Sequence, residues 1–146
     1  MSLQTMMQAI DEHLATVDFD ASRIAFTNVT YAPVAGRPYL RASMVSLTDK
    51  ALTLGADKAT GIGGAGYTLQ WDGVYQVDAV WPENAGADGC HQMQQRLLRL
   101  FYRGLTLVTT DGLQLHFHEP KPLPIQSDGA WIRGPVRCPW WSLENS

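Results

Sequence analysis

In YTLQWDGVYQVDAVWP, residues 67–82, the apolar side chains recur with period two. Tyr67, Leu69, Trp71, Tyr75, Val77, Ala79 and Trp81 take the odd positions, together with Gly73, while Thr68, Gln70, Asp72, Gln76 and Asp78 take even ones. Side chains alternate across a strand, so the pattern predicts a half-buried β-strand. Asp72-Gly73 is a hairpin signal within it, but a two-residue turn there would set Trp71 opposite Val74 and bring Gln76 and Asp78 to the apolar face. One uninterrupted strand satisfies the parity. Straight, it would reach about 50 Å at ~3.3 Å per residue, against a radius of gyration of about 15 Å for a compact chain of this size. It must therefore curve, bulge at Gly73 or protrude.

Upstream, TGIGGAGY (60–67) places Gly61, Gly63 and Gly66 in the spacing G-x-G-x-x-G. A dinucleotide loop needs a strand leading in and a helix leading out, so that helix N–H groups meet the pyrophosphate. Here a strand follows the glycines and the next helical pattern begins about twenty residues later, so no nucleotide cofactor is expected. Residues 56–66 read instead as a flexible connection at the tip of a long hairpin, with Gly61, Gly63, Gly64 and Gly66 as candidate contacts to a neighbouring molecule. Before it, YLRASMVSL and ALTL read as strands, as does Ile24–Phe26. Leu3, Met6, Met7, Ile10 and Leu14 recur at helical spacing, predicting an amphipathic helix over 3–16 with Ser2 as N-cap.

Downstream, PENAGADG ends the long strand, and Asp88 or Gly89 is placed to cap a second helix with the apolar stripe Met93, Leu97, Leu100 and Phe101, closing at Gly104. Arg96, Arg99 and Arg103 share another face of it and form a candidate subunit interface. Two short strands follow around Thr110-Asp111-Gly112, with Leu107 opposite Leu115 and Leu105 opposite Phe117. In AWIRGPVRCPWW, Pro135 and Pro139 have the same parity, so their missing N–H groups fall on one side, which predicts an edge strand. Trp140 and Trp141 point to opposite faces, one of them a candidate for exposed aromatic surface. Together these elements give an α+β class: a mainly antiparallel or mixed β-sheet with a long β-hairpin, packed against two α-helices, in a single domain.

With 146 residues, 45% hydrophobic and 17% charged, the chain can bury a core of its own, and it has no apolar run of membrane-spanning length. A net charge of −3 without a polybasic run removes the electrostatic driver for nucleic-acid binding. The acidic N-terminal stretch lacks the pattern of a signal peptide, and Cys90 and Cys138 lack metal or redox spacing, so a reducing cytoplasm is expected. His116 and His118 share a strand face and could hold a metal with Glu119, but two residues and a neighbour make no site. Cys90-His91 diverge by about 100° on a helix and form no catalytic pair. No hydrolase, metalloprotease or paired-carboxylate motif is present, so neither catalysis nor a metal is expected.

Six blocks in order, IAFTNV, GRPYLRA, LTLG, GVYQVDAVWPENAGADG, a helix closing in LFYRG, and WIRGPV, make the sequence similar to the tail terminator-like proteins of long-tailed bacteriophages. This group includes the lambda-type minor tail protein that ends the tail tube. The resemblance spans about residue 5 to residue 140 and implies an α+β subunit that forms a ring, expected to be a hexamer. The ring would cap the tube, stop its elongation and offer a surface for head joining. The implied partners are the chain itself, the major tail tube protein and a head-completion protein, with no cofactor, membrane or direct nucleic-acid contact. The implied location is the virion tail, reached from the host cytoplasm during assembly. A neck or connector protein of the same virion shares these features, and a small-ligand-binding domain or enzyme is the remaining alternative.

Overall fold

The computed structural model describes residues 3–27, 29–51 and 68–145. Among these residues two α-helices, α1 (Leu3–Leu14) and α2 (Asp88–Leu100), accompany β1 (Ile24–Ala25), β2 (Tyr39–Ala51), β3 (Thr68–Pro82), β4 (Thr106–Val108), β5 (Gln114–Phe117), β6 (Lys121–Pro122), β7 (Gln126–Asp128) and β8 (Trp131–Asn145). One sheet runs in the order β1-β2-β3-β8-β5-β4, with β6 and β7 also on β8. It curls into a half-barrel. Among the described residues all pairings are antiparallel except β1 with β2, so the sheet is mixed.

From Thr68 to Pro82 the period-two stretch is indeed one strand, and it is the spine of the sheet. Tyr75, Val77 and Ala79 on β3 have no exposed surface, and they face α1 and α2 with Leu40, Val136, Cys138 and Trp140 from the flanking strands. The helices supply Met6, Ile10 and Leu14 from α1 and Cys90, Met93 and Leu97 from α2. Full burial of each larger apolar side chain contributes about 1.5–3 kcal/mol, so these two stripes fix the helices to this face. The strand does not bulge at Gly73, which pairs in register with Leu47 and Trp140. The irregularity lies across the ladder, between Met44 and Ser46 of β2. Gly73 serves close packing instead: a Cβ there would lie 2.4 Å from Cε2 of the buried Trp140.

The final strand corrects the edge expectation, because β8 is interior, with β3 on one side and β5, β6 and β7 on the other. The prolines do share one side, and it is the side of the shorter strands. There the carbonyls of Pro135 and Pro139 accept from the backbone N–H groups of Leu123 and His118, both at 2.9 Å. The missing donors are tolerated because that ladder is built in fragments of two to four residues. Of the two C-terminal tryptophans, Trp140 is buried and Trp141 is half-buried.

The β4–β5 hairpin has the expected register, Leu107 opposite Leu115, and Gly112 has a φ of 87° in the left-handed region that glycine tolerates without a steric penalty. Leu105 meets Phe117 through a 2.8 Å backbone hydrogen bond. Helix limits differ at their ends. The first helix stops at Leu14, and the second is capped by Ala87 without a side-chain bond, so Asp88 is its first residue and neither Asp88 nor Gly89 caps it. Residues 52–67, with Gly61, Gly63, Gly64 and Gly66, lie outside the described residues, as do Ser2 and most of ALTL.

Candidate functional site

Beyond the flank of α1, the helix-bearing face of the sheet is left uncovered under β2. This leaves an open groove of about 820 Å³ between α1, the segment after β1, and the sheet. Leu3, Met7, Phe26, Met44 and Leu47 make it apolar, and Asp11 and Glu12 supply its charge. Helical spacing explains the arrangement: residues 6, 10 and 14 of α1 face the core, which turns 3, 7 and 11 toward the groove.

At its floor Asp11 Oδ1 accepts from Tyr75 Oη at 2.6 Å and from Thr27 Oγ1 at 3.1 Å. Burial raises the Asp11 carboxyl above its ordinary value of 3.8, with the two hydrogen bonds opposing the shift. Burial likewise pushes the Tyr75 hydroxyl well above 10, so it remains a donor. A raised acid holds its proton more tightly folded than unfolded, so this group's contribution to stability falls as pH rises from the unfolded value through the folded one. Asp11→Asn keeps the accepting oxygen and removes the charge. It is expected to match wild type at about pH 3 and to exceed it near pH 7, checked by urea midpoints at the two values.

The arginines do not form the single stripe that their spacing suggested. Arg96 and Arg99 are exposed on α2, but the helix ends at Leu100 and Arg103 lies beyond it, just before β4. Arg96 donates to the Asp18 backbone carbonyl at 3.1 Å. Arg99 and Arg103 have no carboxylate partner among the described residues, whereas Arg23 and Arg133 do. On the outer face of the sheet a polar chain crosses the strands. Arg137 Nε donates to Gln76 at 3.0 Å, Gln76 donates to Asp78 at 2.8 Å, and Arg133 lies 3.8 Å from Asp78 and 2.7 Å from Asp128. Asp78 is only 5% exposed, although its parity puts it on the outer face.

His116 stacks on Trp141 with centroids 4.4 Å apart, and His118 lies past the end of β5. Among the described residues no group of three or more His, Cys, Asp or Glu converges as a metal site would require. Burial pushes the thiols of Cys90 and Cys138 up to about 11 and about 12, so both are protonated at neutral pH, and Cys90 donates to the Ala79 carbonyl at 3.3 Å. No helix among the described residues is long and apolar enough to cross a membrane.

A family model described as phage tail terminator protein matches residues 5–140. The chain belongs to the phage tail terminator family. Its role is therefore structural, in the assembly of a phage tail. One solved structure, 20% identical, covers 99% of this chain and 96% of its own, with a TM-score of 0.71, and shows the same fold. No curated protein matches the sequence. Among the described residues the α1 groove, the two ends of the sheet and its polar outer face are open. Sequence reasoning missed the groove and the Asp11–Tyr75–Thr27 cluster, whose members are 16 and 64 residues apart in the chain.

Proposed function

We propose that this terminator-family chain assembles into a ring of six copies on the last ring of a polymerised tail tube, where it stops elongation and forms the tail-side surface for head joining. Its partners in this reading are its own copies, the major tail tube protein and a head-completion protein. It is assembled in the host cytoplasm and resides in the virion tail, and it carries out no catalysis. The family match over residues 5–140 carries the proposal. The geometry is in keeping with it: a small body with two sheet ends that lack strand partners among the described residues suits head-to-tail assembly, in which one patch meets a different patch and the rotation closes a ring.

The test is to add the protein to polymerising tail tube protein and measure tube lengths by electron microscopy. Tubes are expected to shorten as the ratio of this chain to tube protein rises, with rings at their ends. Tube lengths that stay constant at saturating concentration would reject termination. Binding to heads without an effect on tubes would assign the chain to the neck.

A further inference from the structure

On the outer face of the sheet two exposed cations stand directly opposite one another. Lys121 of β6 is in register with Arg137 of β8, and both line a hollow of about 300 Å³. Cross-strand partners hold their Cβ atoms about 4.5–5.5 Å apart, so like charges in these positions repel. The carboxylates of the same face are engaged elsewhere: Arg133 pairs with Asp78 and Asp128, and Gln70 donates to Asp72 at 3.0 Å. Glu119, two residues before Lys121, lines a different hollow, with Arg103. Among the described residues neither Lys121 nor Arg137 forms an ion pair, and Arg137 Nε donates only to the neutral Gln76. The rest of the hollow is largely apolar. Val74 and Pro139, register partners on β3 and β8, line it, as does Val45, which the β2–β3 register skips and which is 47% exposed.

We propose that this hollow docks an acidic segment of a partner protein: an Asp or Glu carboxylate bridges Lys121 and Arg137, and an apolar side chain beside it covers Val45, Val74 and Pro139. The proposal goes beyond the ring reading, since it names the chemistry of a contact and holds for whichever assembly partner makes it. A carboxylate has two oxygens and only accepts, while an ammonium and a guanidinium only donate, so one carboxylate can satisfy both cations with charge-assisted bonds. Repulsion in the free chain then becomes attraction in the complex. Charge complementarity of this kind selects partners by sign. The apolar lining narrows the choice further. A hydrated phosphate would neutralise the cations but leave Val45, Val74 and Pro139 in contact with water, whereas a carboxylate between apolar side chains removes that surface from water as well.

NMR titration of the isotope-labelled full chain tests this with three probes: the capped tripeptide valine-glutamate-valine, its glutamine counterpart, and inorganic phosphate. The glutamate peptide is expected to shift the amides of Val74, Lys121 and Arg137 in a saturable way. Affinity should fall about tenfold for the glutamine peptide, and equally for the glutamate peptide on Lys121→Gln/Arg137→Gln, as expected for losing two exposed ion pairs. Both residues are exposed, so the double variant is expected to fold. Urea unfolding supplies a readout without any ligand. Lys121→Gln should raise the midpoint slightly, because it removes a like-charge opposition. A lower midpoint would show that Lys121 supports the fold and would overturn the site. So would a glutamate peptide that leaves these amides unmoved, or one that binds the double variant as well as wild type. Phosphate that binds as tightly as the glutamate peptide would overturn the assignment to a protein carboxylate. Tube lengths are measured separately: constant lengths would reject termination without touching this site, and failure of the titration would reject the site without touching termination.

Discussion

Gly73→Ala is expected to lower stability by about 3 kcal/mol or to prevent folding, a sign opposite to the usual one for this change. Where the backbone accepts a side chain, glycine to alanine stabilises by about 0.4–1 kcal/mol because the unfolded chain loses freedom. At Gly73 the new Cβ would stand 2.4 Å from Cε2 and 2.5 Å from Cζ2 of Trp140. That indole is 1% exposed in the centre of the sheet, so it cannot swing into solvent. Steric exclusion therefore outweighs the entropy gain. Urea unfolding of Gly73→Ala, Trp140→Leu and the double variant measures the balance. On the Trp140→Leu background, Gly73→Ala should be neutral or stabilising, a coupling of at least about 2 kcal/mol. A higher urea midpoint for Gly73→Ala in the otherwise native chain would refute the packing argument.

That clash shows what a linear pattern can and cannot carry. The alternation in residues 67–82 identified the strand, and parity alone ruled out a turn at Asp72-Gly73, because burial on one face is a property of single residues. The role of Gly73 was not legible, since it depends on a partner 67 positions later in the ladder, Trp140. The same divide explains β8. Parity correctly put Pro135 and Pro139 on one side, but it could not show that short strands would cover that side in pieces. Arg103 has the right spacing to join Arg96 and Arg99, yet the helix ends three residues before it. The α1 groove had no sequence signal, because its walls come from α1, the residues after β1, and β2, and only the sheet order brings them together.

Phe101→Ala is expected to cost about 3–5 kcal/mol, which is a fifth or more of the roughly 5–15 kcal/mol available to a typical domain. Phe101 is fully buried just after α2, with ring centroids 5.2 Å from His13, 5.7 Å from Tyr75 and 5.6 Å from Phe117. It therefore ties α1, β3 and β5 together at one point. His13 adds a 2.9 Å contact between its Nε2 and the Leu100 carbonyl, so the end of α2 is fastened to α1 beside the same ring. Beyond Phe101 the chain turns into the β4 edge, anchored by Gly104 N–H to the Phe117 carbonyl at 3.0 Å and by Phe117 N–H to the Leu105 carbonyl at 2.8 Å. Emptying the Phe101 position should thus loosen β4 before it opens the β3–β8 ladder. Hydrogen exchange separates the two: in Phe101→Ala the Phe117 amide should exchange through local opening, while amides of Val77 and Val136 exchange only with global unfolding. Phe101→Leu, which refills much of the space, should restore most of the protection. Uniform loss of protection across all three amides would show that Phe101 supports the whole core equally and holds no special grip on the β4 edge.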